Sequence, residues 1–230
     1  MLRPVLRAVI FDLHGTLLDD EPLRVDLLRR MAAERAIELD PAFAGALVGT
    51  DDRSAIRQIW SHARAQLPAD EARRLLAEKQ RRYAEAVGER PPLFPGARAI
   101  FEEAARRFPV GVVASSLRAD AIAALKGAGF FRRLSALVTA EEVPAPSAAA
   151  FEACLERINL LAPRFRIEPI APREVLVFED TEAGIAAAQA AGMKVAAVAH
   201  TQRFDRIVQA DTHAARIVDF ELDALEKELF

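Results

Sequence analysis

The sequence predicts an α/β protein in which a parallel sheet carries helices on both faces and is interrupted by one all-helical insertion. Three observations carry this expectation. Short apolar runs rich in Val, Ile and Ala recur at residues 5–12, 110–115, 134–139, 174–179, 194–199 and, weakly, 215–219, with helical patterns between them. Such alternation is the mark of buried parallel strands joined by crossover helices. From about Asp19 to Pro92 the alternation stops and the pattern is helical almost throughout. Several strand-like runs end in acids or hydroxyls, namely Asp12, Ser115 with Ser116, and Glu179 with Asp180. Open parallel sheets bind their ligands at such carboxyl ends.

Taken in order, the first run is Val9-Ile10-Phe11-Asp12, followed by Leu13-His14 and a Gly15-Thr16 turn. In the insertion, Leu23, Leu27, Leu28 and Met31 share one face of a first helix. Asp51 and Asp52 are capping residues for a helix that carries Ile56, Ile59, Trp60, Ala63 and Leu67 on one face. Leu75, Leu76 and Tyr83 suggest a third or fourth helix. Turn signals at Asp19-Asp20-Glu21-Pro22 and Arg90-Pro91-Pro92 bracket the insertion, and paired prolines stiffen an extended crossing. The expected organisation is a core domain of residues 1–18 and 92–230, with residues 19–91 forming a helical cap over the carboxyl edge of the sheet.

Composition bounds the function. The chain has 230 residues, 52% of them hydrophobic, enough for one sizeable domain and a smaller one. Net charge of -3 and a pI near 5.9 argue against a general nucleic-acid or membrane-surface binder, so the expected partner is a small molecule. No apolar run reaches about 18 residues and no signal-like stretch opens the chain, so a soluble cytoplasmic protein is expected. Cys154 is the only cysteine, which excludes an intrachain disulfide, and its place in an apolar helical pattern makes it a packing residue. Only four of the 31 basic residues are lysines: Lys79, Lys126, Lys194 and Lys227.

Asp12 leads the chemistry. A strand-end aspartate beside a bound magnesium ion can attack phosphorus and divide one hard displacement into two, although a loop acid capping the next turn is the plainer reading. Ser115 or Ser116, with free N–H groups at a helix start, can hold a phosphoryl oxygen, or one of them simply caps that helix. Glu179 and Asp180 are adjacent acids at a strand end before a helix opened by Thr181. A hard cation relieves their repulsion, and a solvated helix start is the alternative.

These motifs resemble the haloacid dehalogenase superfamily. Phe11-Asp12-Leu13-His14-Gly15-Thr16 is similar to its nucleophile loop, whose phosphatase members carry Asp-x-Asp-Gly-Thr. The segments Leu93-Phe94-Pro95-Gly96-Ala97 and Phe178-Glu179-Asp180-Thr181, with Gly184, resemble the β-phosphoglucomutase-like branch, and the similarity spans nearly the whole chain. The resemblance implies a Rossmann-like core with a helical cap. It also implies a magnesium ion on Asp12, Asp180 and the backbone carbonyl of His14, with Glu179 nearby, and a phosphate-binding role for Ser115 next to Ser116.

Two departures stand out. His14 occupies the position of the acid/base aspartate, a role that imidazole can fill near neutral pH. The lysine expected before Pro-x-Pro is missing from Glu141-Glu142-Val143-Pro144-Ala145-Pro146. An arginine is then required at the phosphate, with Arg118, Arg53 and Arg203 as the candidates. His62, His200 and His213 have no metal-ligand spacing, and of these only His200 falls at the active edge. The leading expectation is a magnesium-dependent phosphohydrolase of a small phosphorylated metabolite acting through an aspartyl-phosphate on Asp12. The alternative is a catalytically impaired pseudoenzyme with a binding or regulatory role. Hydrolysis of halides or phosphonates is disfavoured, because the family's dehalogenases lack the paired acids and keep the lysine.

Overall fold

The computed structural model describes residues 4–47, 50–88, 91–161 and 168–230. Six strands, β1 (Ala8–Asp12), β2 (Val110–Ala114), β3 (Ala136–Thr139), β4 (Val175–Glu179), β5 (Lys194–Val198) and β6 (Thr212–Ala214), form one parallel sheet in the order β3-β2-β1-β4-β5-β6. Chain order therefore turns in opposite directions from β1, and a crevice opens at its carboxyl end, where ligands of such sheets bind. Register fixes what meets there. Asp12 pairs with Val113 and Phe11 with Phe178, so Asp12, the Ser115 turn and Glu179 emerge at one edge.

The strand sequences are apolar at consecutive positions because both faces are covered. Val9 and Phe11 enter a core cluster with Val112, Phe101, Ala121, Phe178 and Leu225, beneath helices α5 (Ala97–Arg107), α6 (Arg118–Gly127) and α9 (Leu222–Leu229). Ala8 and Ile10 enter a second cluster with Val113, Phe151, Cys154 and Ile185, beneath α7 (Ala148–Asn159) and α8 (Glu182–Ala190). Phe11 stacks on Phe178 at 4.9 Å between ring centroids, worth about 0.5–1.5 kcal/mol beyond the area buried. A Cβ on Gly111 would stand 2.4 Å from the Cys154 sulfur, so the glycine admits α7 to the sheet. Burial pushes the Cys154 thiol up to about 12, in keeping with its packing role.

Between β1 and α5 lie helices α1 (Glu21–Ala33), α2 (Pro41–Ala46), α3 (Asp52–His62) and α4 (Ala69–Val87). They share an apolar cluster of Leu28, Met31, Leu47, Ile56, Ile59, Trp60 and Leu75. The single face expected for α1 is split. Leu23 and Leu27 pack toward the sheet with Tyr83 and Val87, while Leu28 and Met31 serve the cluster among the helices. The row that joins positions 23 and 27 is thus a seam with the core. Asp51 caps α3, accepting from the Ser54 N–H at 3.0 Å, but Asp52 is buried and has another task. Ala63 follows the helix and is exposed. The two crossings run side by side: the Asp19 N–H donates to the Pro92 carbonyl at 2.7 Å, and Leu18 bridges Leu93.

The weak sixth strand expected at 215–219 forms instead at Thr212–Ala214, and Ile217–Asp219 make a 3₁₀ turn. The cause is local: the Ile217 N–H donates to a histidine ring, which takes it out of any ladder. Among the described residues no helix is long and apolar enough to cross a membrane.

Candidate active site

A cavity of about 730 Å³ opens at the carboxyl ends of β1, β2 and β4, between the sheet and the inserted helices. The sheet side contributes Asp12, His14, Ser115, Ser116, Glu179 and Asp180; the insertion contributes Glu21, Arg24, Asp52 and Arg53; Glu141 and Pro146 come from the segment after β3.

Asp12 is buried, and its Oδ2 has no hydrogen-bond partner among the described residues. Burial, with the negative charges of Glu179 and Asp180, pushes its carboxyl well above the usual range. Asp180 sits in a cradle of hydroxyls: Thr16 donates to Oδ1 at 3.0 Å, and Thr201 donates to Oδ2. Burial still raises its pKa to about 6. Gly15 closes this cradle at φ 93°, and a Cβ there would lie 2.4 Å from Asp180 Oδ2. Only glycine satisfies both the positive φ and the close approach.

Glu179 turns into the start of α8. Its Oε2 accepts from the N–H groups of Asp180 and Thr181 at 2.8 and 2.9 Å and from the Thr181 hydroxyl at 3.1 Å. Burial and the neighbouring Asp180 charge push its carboxyl up to about 8. Three acids held in electrostatic contact, with one orphaned oxygen, fit a hard divalent cation. Two carboxylates and the His14 carbonyl are oxygen donors of the kind magnesium takes while keeping several waters. Among the described residues no group of three or more His, Cys, Asp or Glu side chains is placed to hold a metal ion, so an ion here would draw on fewer side chains together with backbone and water oxygens.

His14 lines the cavity, but its imidazole is almost fully buried. Nδ1 lies 2.8 and 3.0 Å from the two carboxylate oxygens of Asp20, and Nε2 is buried without a partner. Tyr83, reaching over from α4, donates its hydroxyl to Asp20 at 2.5 Å. Burial opposes ionisation of Asp20, yet His14 and Tyr83 hold its carboxyl below the usual range. Burial and Asp20 push the Tyr83 hydroxyl upward, so it stays a donor.

The substrate-binding candidates separate. Ser115 and Ser116 both face the cavity, and the Ser116 hydroxyl is buried without a partner. Arg53 lines the cavity and has no carboxylate partner among the described residues. Arg118 corrects the expectation. Its guanidinium is drawn to Glu142 at 3.2 Å, its backbone N–H donates to Glu141 at 2.7 Å, and it does not line the cavity. Two glutamates before the Pro-x-Pro segment compete for it locally. Arg203 pairs with Asp205 on the surface.

Lys79 and Arg24 were not anticipated from the sequence. Lys79 is fully buried on α4, where Nζ donates to Asp52 at 2.6 Å and to Asp120 of α6 at 2.7 Å, and lies 4.6 Å from the Tyr83 ring centroid. The signal was available, since Leu75, Lys79 and Tyr83 are spaced four apart on one helical face. Arg24 is buried between Glu21 at 2.8 Å and Asp52 at 3.2 Å. Lys194 is occupied with Asp211. His200 does not line the cavity. It bonds the Gly15 carbonyl through Nδ1 at 3.0 Å, accepts from the Ile217 N–H at Nε2 at 3.1 Å and stacks on Phe94. That pairing makes Nδ1 the protonated nitrogen, and burial lowers the pKa. His62 contacts Phe43 and His213 contacts Phe204.

A parallel α/β sheet carries an acid trio at its switch point and faces a helical insertion across a cavity. The chain belongs to the haloacid dehalogenase-like hydrolase family, whose model matches residues 6–192. It is 25% identical over 193 residues to a phosphorylated carbohydrates phosphatase of Thermotoga maritima, covering 82% of this chain and 83% of that one. The fold is similar to β-phosphoglucomutase from Clostridium difficile, with a TM-score of 0.75, 18% identity and 97% of each chain covered. It is also similar to CbbY from Rhodobacter sphaeroides in complex with xylulose-(1,5)bisphosphate, with a TM-score of 0.79, 19% identity and coverage of 96% of this chain and 99% of that one. Likenesses at these identities are likenesses of fold. The pseudoenzyme alternative is not favoured by these matches.

Proposed function

We propose that the protein is a magnesium-dependent phosphohydrolase acting on a small phosphorylated metabolite, with phosphorylated sugars the substrate class its phosphatase relative suggests, through an aspartyl-phosphate on Asp12. The observation that carries the reading is Asp12 itself: a buried carboxylate at the sheet's switch point, one oxygen unpartnered, between two further acids.

In the first half-reaction a carboxylate oxygen of Asp12 attacks phosphorus, the bond from phosphorus to the ester oxygen breaks, and the leaving oxygen takes up a proton. In the second, water attacks the same phosphorus and gives up a proton, and the bond to Asp12 breaks. Inorganic phosphate leaves and the carboxylate is restored. His14, standing where relatives carry an aspartate, supplies the proton of the first half and takes that of the second. Asp12, Asp180 and the His14 carbonyl would hold the magnesium ion, with Glu179 beside them. Bound there, the ion would supply positive charge favouring ionised Asp12 and offsetting the charge of the phosphoryl group. The Ser115 and Ser116 hydroxyls donate to phosphoryl oxygens, and Arg53 provides a guanidinium from the insertion. Helices α1–α4 act as a cap that excludes water and selects the substrate.

The test is phosphate release from a panel of sugar phosphates and other phosphomonoesters, with magnesium and with chelator, using Asp12→Asn as the blank. Magnesium-dependent release that disappears in Asp12→Asn is expected. Equal turnover by the two proteins would remove Asp12 from the chemistry.

A further inference from the structure

We propose that Asp20 is a positioning residue for His14, braced by Tyr83, so that a carboxylate and an imidazole together replace the single acid/base side chain of related phosphatases. The role of His14 in the reaction rests on the function proposed above; the positioning itself rests on geometry.

Asp20 stands at the N-cap of α1, where an aspartate ordinarily accepts from the backbone N–H groups of the first turn. It makes no such bond. Its side chain is fully buried, and both oxygens face His14 Nδ1, at 2.8 and 3.0 Å. A carboxylate only accepts, so Nδ1 carries the hydrogen and the lone pair of the neutral ring belongs to Nε2. Nε2 is buried and has no partner among the described residues. The ring is thereby held by one edge in one tautomer, with its other nitrogen uncommitted, in a residue that lines the cavity two positions after Asp12. Serine hydrolases use an aspartate on histidine in the same way, and its service there is orientation and tautomer.

Tyr83 completes the arrangement from α4, a different part of the chain. Its hydroxyl donates to Asp20 at 2.5 Å, and its ring is backed by Lys79. A buried carboxylate loses much of its pairing energy to desolvation, so stability alone is a weak reason for such a set. Two donors converging on one carboxylate leave it little freedom to rotate, and the imidazole inherits that rigidity.

The test combines a spectroscopic and a kinetic measurement on the intact protein. Two-bond ¹H–¹⁵N correlation spectra of ¹⁵N-histidine-labelled protein, with His14 assigned by His14→Gln, report the tautomer under mildly alkaline conditions. The wild type is expected in the Nδ1–H form, and Asp20→Asn is expected to move the ring toward Nε2–H, because the amide can donate to Nδ1. In steady-state assays Asp20→Asn should lower kcat on the order of 10²-fold, as loss of an oriented acid/base group does, with KM little changed. Tyr83→Phe, which deletes one hydroxyl, should give a smaller fall of the same kind and serves if Asp20→Asn does not fold. In a His14→Gln background both substitutions should lose their effect on kcat, since a residue that acts only through His14 has nothing left to position. Equal losses in the two backgrounds, or a tautomer unchanged by Asp20→Asn, would overturn the proposal. If the wild type hydrolyses no phosphomonoester, the function proposed above fails, and the tautomer measurement decides the positioning alone.

Discussion

Replacing Lys79 with methionine removes the one ammonium that joins the insertion to the core at Asp120, and the structure gives the size of the effect. Lys79 is fully buried, with Asp52 at 2.6 Å and Asp120 at 2.7 Å, and the side chains of both acids are at most 3% exposed. Methionine fills the same space but leaves two buried carboxylates facing each other. Removing one partner of a buried ion pair costs about 3–5 kcal/mol. At about 2–4 °C per kcal/mol for a chain of this size, the melting temperature should fall by roughly 6–20 °C. The two acids do not bear the loss equally. Burial works against Asp52, yet Lys79 and Arg24 together hold its pKa below the usual range. Burial raises that of Asp120, against which Lys79 is the chief relief, and its Oδ1 has no partner. Adding Asp120→Asn to Lys79→Met should therefore recover a good part of the loss, whereas adding Asp52→Asn should recover less, because Arg24 then keeps Glu21 but loses its second carboxylate partner. Urea denaturation of the four proteins measures this. A loss below about 1 kcal/mol for Lys79→Met would show the pair behaving as an exposed one and refute the reasoning.

Three further outcomes follow from the site. Gly15→Ala should remove most of the phosphatase activity and destabilise the fold by about 1–3 kcal/mol, because it combines a positive φ with a Cβ placed 2.4 Å from Asp180; activity and urea midpoint measured together check it. His200 has a lowered pKa through burial, so its neutral form is the one the fold favours. Its contribution to stability should be complete above the free histidine value of about 6.5 and be lost as pH falls through the lower folded value; urea midpoints across this range should show an acid-side decline that His200→Phe reduces. Magnesium should raise the melting temperature of the wild type, by an amount equivalent to about 2.7 kcal/mol at a hundredfold excess over the dissociation constant, and Asp180→Asn should abolish most of that rise.

A parallel sheet buried on both faces leaves a continuous apolar run in each strand, and the acids that end those runs mark its ligand edge. Asp12, Ser115 with Ser116, and Glu179 with Asp180 end such runs. Arg118 could not be excluded the same way, since its partner Glu142 lies 24 residues on and only the folding of the segment after β3 brings the two together. Thr201 and Thr16 reach Asp180 from across 21 and 164 positions, and no local pattern distinguishes such hydroxyls from any other loop threonine. Lys79 was visible as a helical-face residue, but its role depends on Asp52 and Asp120, which lie on two other helices.

By itself the sequence determined the fold class, the strand order in the chain, the presence of inserted helices between the first two strands and the acid positions at the sheet edge, because each of these follows from local periodicity or from a strand ending. The tertiary structure alone decided which charged groups face one another. Burial raises the free energy of every unpaired charge, so the protein is organised by the pairs that meet: Asp20 with His14 and Tyr83, and Lys79 with Asp52 and Asp120. Those meetings span the insertion and the core, and their geometry exists only once the chain has closed around the cavity.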